Sequence, residues 1–246
     1  MENEASFLFH HSLNDFLKPD KKNKQVIFSF NGSPAIKDSI EAIGIPHTEV
    51  DVITVNDHPV DFYYKISNHD KVAVFPLVAT IITANSLTPA YVYPLRFVVD
   101  VHAGKLAKAL RMLGFDVIYD NNYSDYKIAE IAADDNRIVI TRDIGLLKHN
   151  KIKWGHWLRF QHIDEQIIEV VRKYDLKNKI HSFERCIECN GKIESVRKEE
   201  ISELLPLNTR EHFNEFYRCH ECKKVYWKGS HYTNMLRKID IITRKV

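Results

Sequence analysis

From residue 95 to residue 174, short apolar runs alternate with amphipathic segments as strand, helix, strand, helix, strand, which leaves few folds open. Consecutive strands joined through helices run parallel, because a parallel pair needs a crossover long enough to bring the chain back to the same edge. The run 95–99 (LRFVV) is apolar but for Arg96, as expected of a strand covered on both faces, and Asp100 follows it. Leu106, Ala107, Leu110 and Leu113 then recur at helical spacing, and Gly114 stands where a helix stop belongs. Residues 115–119 read as the second strand. Ser124 reads as an N-cap with Asp125 in the first turn of the next helix, and 137–141 as the third strand, leading through Arg142 to Asp143. A short helix near 144–149, a fourth strand within 154–160 and a closing helix with Ile163, Ile167, Val170, Val171 and Tyr174 on its apolar stripe complete this unit.

In a parallel sheet, ligands bind in the crevice outside the carboxyl ends of the strands. Asp100, Asp125 and Asp143 are the candidate residues for such a site. Three carboxylates sharing it would repel one another unless a cation joined them, and oxygen-only ligands favour Mg²⁺ or Mn²⁺. Phosphodiester hydrolysis is a reaction that such a site commonly serves. Taken singly, Asp125 also reads as an acid in a helix first turn and Asp143 as a helix cap. Asp120 is a further ligand candidate or a turn residue. Glu130, about 140° round the helix from Asp125, should face elsewhere. Lys105, Lys108 and Arg111 fall on the polar side of the first helix and, with Arg142, are candidates to hold phosphates without reading sequence. Trp154, Trp157 and Phe160 are either base-stacking platforms or core residues.

The four cysteines form two C-x-x-C pairs, Cys186 with Cys189 and Cys219 with Cys222, separated by 29 residues. Two such knuckles facing each other close a tetrahedral four-sulfur shell, which suits a structural Zn²⁺ with no open position for water. Paired disulfides and a redox dithiol are the competing readings; a reducing compartment disfavours the first, and the presence of two pairs the second. The segment is also basic: net charge is −4 over residues 1–90, +1 over 91–176 and +5 over 177–246, so attraction to phosphate is expected mainly from the last third. There Tyr226, Trp227, Lys228 and His231 are candidate RNA contacts, because a small metal-stapled module has little interior in which to hide them.

Ahead of these units, 26–30 and 72–78 read as strands flanking a helix near 36–43 that stops at Gly44 and Pro46. Segments 49–55 and 62–66 read as further strands, with a turn at 56–59. A small sheet crossed by one helix accounts for them. No signal peptide is visible, and no run of about 18 apolar residues offers a membrane span, so a cytoplasmic chain without membrane attachment is expected.

Residues 40–51 (IEAIGIPHTEVD) and 70–76 (DKVAVFP) resemble the ubiquitin-like β-grasp domain that precedes one ribonuclease family. Residues 97–111 (FVVDVHAGKLAKALR), 138–147 (IVITRDIGLL) and 226–232 (YWKGSHY) resemble that family itself, the mut-seven C-terminal ribonucleases, in which a zinc ribbon follows a PIN-like nuclease domain. The resemblance covers nearly the whole chain. It implies an α/β and α+β multidomain protein: β-grasp over 1–82, PIN-like parallel α/β sheet over 94–181, zinc ribbon and tail over 182–246. It further implies RNA hydrolysis with Mg²⁺ or Mn²⁺ held by Asp100, Asp125 and Asp143. A protein partner on the β-grasp domain is a separate expectation, from reading that domain as an interaction module. A non-catalytic RNA- or ribosome-associated adaptor that keeps the fold is the alternative reading.

Overall fold

The computed structural model describes residues 2–77 and 82–246, so Val78, the last residue of the strand expected over 72–78, lies outside the described residues. The chain gathers into two compact units, one of Met1–Pro94 with Tyr123–Leu158, the other of Leu95–Asn122 with Arg159–Val246.

The chain begins with β1 (Asn3–Phe9), β2 (Val26–Phe30), α1 (Ile36–Ile43), β3 (Val50–Val55), β4 (His58–Val60) and β5 (Lys71–Pro76). They form a sheet of order β2-β1-β5-β3-β4, in which β1 and β5 are parallel, with Phe7 opposite Val72, and the other neighbours antiparallel. This is the mixed order of a β-grasp. Its core gathers Phe7, Phe9, Ile36, Ile40, Ile53 and Val74, all buried. The expected strand over 62–66 is not formed beyond an isolated bridge from Ala35 to Lys65. Its carbonyls are used elsewhere: Ile36 N–H donates to Tyr64 O (2.8 Å) and Lys37 N–H to Phe62 O (3.4 Å), serving donors that a helix amino terminus leaves without partners.

The alternating region supplies β6 (Arg96–Val99), α2 (Gly104–Met112), β7 (Asp116–Ile118), α3 (Asp125–Asp134), β8 (Ile138–Thr141), α4 (Ile144–Leu147), β9 (Gly155–Trp157) and α5 (Ile163–Lys173). Strands β6 to β9 make the central parallel sheet. Phe97 of β6 stands opposite Val117 of β7, and Ile140 of β8 opposite His156 of β9. Within the first unit the β-grasp packs directly on the segment carrying β8 and β9. Trp157 N–H donates to the buried Glu49 carboxylate (2.7 Å), Lys148 Nζ to Glu41 O (2.6 Å), and Trp154 Nε1 to Pro89 O (2.8 Å). A Cβ on Gly155 would meet Thr48 Oγ1 at 2.9 Å and Leu147 at 2.5 Å, so only glycine permits this approach.

The remaining elements are β10 (Ile193–Val196), α6 (Lys198–Ile201), α7 (Leu207–His212), β11 (Phe216–Cys219), β12 (Val225–Trp227) and α8 (Ser230–Lys245). The three strands form an antiparallel sheet of order β10-β11-β12 over a small core of Ile201, Leu205 and Phe216, and α8 packs on α5.

Candidate metal centre and nuclease site

The two knuckles bring Cys186, Cys189, Cys219 and Cys222 together, with all four sulfurs within 4.8 Å of one another. Cys186 and Cys222 Sγ are 3.6 Å apart and Cys189 and Cys219 Sγ 3.4 Å, far beyond a disulfide bond of about 2.0 Å. They are close to the edge of roughly 3.8 Å that a tetrahedron with Zn–S of 2.3 Å requires. The backbone permits this closure because Gly191 has no Cβ, which would otherwise stand 2.8 Å from Cys219 Sγ.

The thiols are electrostatically unequal. Burial works against ionisation of Cys186, yet the Tyr226 hydroxyl at 3.0 Å and backbone N–H groups of Cys189 and Glu188 prevail and bring its thiol down to about 7. Burial and the neighbouring sulfurs push Cys222 up to about 12. Sulfurs this close do not carry several negative charges without a cation among them, so the donor set fits Zn²⁺.

The first knuckle is fastened to α2 and β7. Arg111 is buried at 3% exposure, and its guanidinium donates from Nε to Val117 O (2.9 Å) and from Nη1 to Ile187 O (3.1 Å) and Glu188 O (2.6 Å). Asp116 accepts from Arg185 Nη2 (3.2 Å) and Asn190 Nδ2 (2.9 Å), while Val117 N–H donates to Asn190 Oδ1 (2.9 Å). Arg111 therefore does not stand on an open polar face with Lys105. At 100° per residue it lies about 40° from Ala107, on the buried side of the helix, so its expected phosphate contact is replaced by knuckle docking. Nothing in the sequence marked Asp116 or Asn190; their roles exist only once β7 and the knuckle meet.

Asp100 ends β6 and is buried at 3% exposure; its carbonyl accepts from Ala103 N–H (2.9 Å) in the turn that leads into α2. That turn passes under Tyr119, whose hydroxyl donates to Val101 O (3.2 Å), and a Cβ on Gly104 would collide with the ring. Asp125 is exposed in the first turn of α3, where Ser124 Oγ accepts from Lys127 N–H as the expected N-cap. Asp143 follows β8 and is exposed, with Oδ1 accepting from Gly145 N–H (2.6 Å) and Leu146 N–H (3.4 Å), so it caps α4. Asp125 and Asp143 belong to one compact unit and Asp100 to the other. Asp120 takes its turn role, its Oδ1 accepting from Asn122 N–H (2.8 Å).

Lys105 and Arg142 are exposed, as is Lys108, which pairs with Glu188 at 2.9 Å. Lys228 is exposed and pairs with Glu215, His231 is exposed in the first turn of α8, and Trp227 is half-buried against the small ribbon core. Trp154 is buried, Trp157 is half-buried with its ring 4.8 Å from Phe16, and Phe160 stays 45% exposed.

The chain thus combines a mixed β-grasp sheet, a parallel α/β sheet and a four-cysteine ribbon. The chain belongs to the Mut7-C RNAse domain family, whose family model matches residues 95–239, and the Mut7-C ubiquitin model matches residues 2–81. No curated protein and no solved structure matches the chain. Among the described residues no helix is long and apolar enough to cross a membrane.

Proposed function

We propose that this chain is a cytoplasmic ribonuclease that hydrolyses RNA phosphodiester bonds with Mg²⁺ or Mn²⁺ held by Asp100, Asp125 and Asp143. The observation that carries the reading is the Mut7-C RNAse match across residues 95–239, within which Asp100 and Asp143 each follow a parallel strand at its carboxyl end. A divalent cation at these carboxylates supplies charge neutralisation at the phosphate and acidifies a water nucleophile. The Asp143 carboxylate is held in place by the amino terminus of α4 and remains exposed for a cation. The buried Asp100 is shielded from bulk water, which strengthens its pull on a hard cation. Lys105 and Arg142 hold the phosphates of the flanking chain. In this reading nuclease chemistry resides in residues 94–181, RNA is also gripped by the ribbon over 182–246, and residues 1–82 offer a surface to a protein partner.

Cleavage of a mixed RNA pool should require added Mg²⁺ or Mn²⁺. Asp100→Asn and Asp143→Asn should each lower the rate by at least about a hundredfold with an unchanged melting temperature, because an amide of equal size removes an anionic ligand without opening a cavity. Metal-independent cleavage, or full activity of both variants at saturating Mn²⁺, would exclude this mechanism. RNA binding without turnover would instead mark an adaptor.

A further inference from the structure

Beside the cysteine shell the ribbon opens a groove of about 520 Å³, lined by Phe183, Tyr217, Tyr226, Trp227, Tyr232 and Met235, with Arg185 and Lys228 among its other lining residues. We propose that this groove takes an unpaired nucleobase of single-stranded RNA, stacked on its aromatic walls; the inference rests on RNA being the substrate.

The walls come from the segment entering the first knuckle, from β11 and β12, and from α8, so the rings are held by separate elements rather than gathered into one core. Phe183 and Tyr232 are half-buried, with centroids 4.8 Å apart and planes at 39°. The Tyr226 hydroxyl is committed to Cys186 Sγ at 3.0 Å, so this residue offers the groove its ring. Every base presents a π-face, which makes aromatic walls tolerant of sequence, and the volume is of the size that encloses a small aromatic ligand.

Charge selects a nucleotide over an apolar peptide side chain. Of the two basic residues that line the groove, Arg185 is paired with Asp116 at 3.2 Å and Lys228 with the exposed Glu215, so Lys228 is the one placed to meet a phosphate, in a segment, residues 177–246, that carries +5. Lys228 Nζ also lies 5.9 Å from the Tyr217 ring centroid. Its pair with Glu215 is exposed on both sides, and such pairs contribute little, so an incoming phosphate can displace the carboxylate.

The test uses the full chain purified with its zinc and a fluorescently labelled hexauridylate without Mg²⁺, with binding read by anisotropy. Tyr232→Ala should weaken binding about five- to 150-fold, the range of one lost stacked base, while Tyr232→Phe should bind as the parent does. Met235→Glu, which places a carboxylate in the groove, should also weaken it and serves if Tyr232→Ala loses its zinc or its fold. A 4-thiouridine hexamer should crosslink to peptides containing Phe183, Trp227 or Tyr232. Parent-like binding by folded Tyr232→Ala and Met235→Glu, crosslinks confined to other segments, or no hexamer binding by the parent overturns the groove. RNA cleavage assayed in parallel separates the two readings. A parent that binds in the groove and cleaves nothing loses the nuclease and keeps the groove; a parent that cleaves while the variants bind normally does the reverse.

Discussion

Glu41 joins three segments of the first unit. Its Oε1 lies 2.6 Å from His47 Nδ1, the other ring nitrogen of His47 lies 3.1 Å from Ile152 O, and Lys148 Nζ donates to the Glu41 carbonyl. Burial alone would raise this carboxyl. The His47 hydrogen bond and charge, helped by Lys37, more than offset it and hold the group below the ordinary carboxylate range. A depressed folded value means that the contribution to stability is present above the unfolded carboxyl value, about 4.3, and is lost as pH falls through the folded one. The first unit should therefore melt at a lower temperature as pH drops from about 5 to 3. Glu41→Gln should start lower at pH 7 and show a shallower decline, which thermal melts at a series of pH values will measure. A variant as steep as the parent would assign the acid sensitivity to other carboxyls.

Between elements, docking of the first knuckle on α2 depends on Arg111. Its guanidinium serves three backbone carbonyls, and the Cys189 and Cys186 sulfurs beside it favour its positive charge although burial opposes it. Arg111→Met keeps most of the stem but strands those acceptors and removes a positive charge that the Cys189 and Cys186 sulfurs favour, a loss on the order of 3 kcal/mol. Faster loss of zinc to a competing chelator and a lower melting temperature are the expected readouts, whereas Lys105→Ala should change neither. The same helix shows how far sequence reasoning reaches. The apolar positions Leu106, Ala107, Leu110 and Leu113 gave its buried stripe, but counting lysine and arginine at every third residue ignored the drift of a 3.6-residue period. Runs with a strict pattern, such as those of α1, β2 and β8, could be placed in advance because local period and core agree. No strand is expected over 3–9: Ala5, Phe7 and Phe9 face the core in alternation with Glu4 and Ser6, but Leu8 interrupts the polar positions and blurs the period. The hairpin turn read over 56–59 is shorter than expected: Asn56 and Asp57 take positive φ and β4 begins at His58. The four cysteines were legible as one centre from spacing alone. The aromatic groove was not, because Phe183 and Tyr232 are 49 positions apart in sequence and only folding makes them neighbours.

At the scale of the molecule, the ubiquitin-like segment is structurally part of the unit that carries β8 and β9. Glu49 and His156 are both buried, with 3.6 Å between Oε1 and Nδ1, and the same carboxylate oxygen takes the Trp157 N–H of β9. Thr48 seats against Gly155, Phe16 packs at a tilt against Trp157, and the linker residues Leu87 and Thr88 donate their N–H groups to Asp51. Asp143 is carried on the loop after β8, so whatever holds β8 and β9 also holds one of the proposed metal ligands. A chain beginning at residue 83 would expose Leu147, Ile152 and Trp157 to water and leave the Trp157 N–H and His156 without the Glu49 carboxylate. The expected outcome is a truncated protein that aggregates or melts well below the full chain, and that loses cleavage even though every proposed catalytic aspartate is present. Glu49→Ala should reproduce part of this, because breaking a buried pair from one side costs about 3–5 kcal/mol. Thermal melts, with hydrogen exchange over residues 138–158, will locate the loss. If residues 83–246 fold, protect that segment and cleave RNA as the full chain does, the ubiquitin-like domain is an independent module whose contacts here contribute no stability to the nuclease.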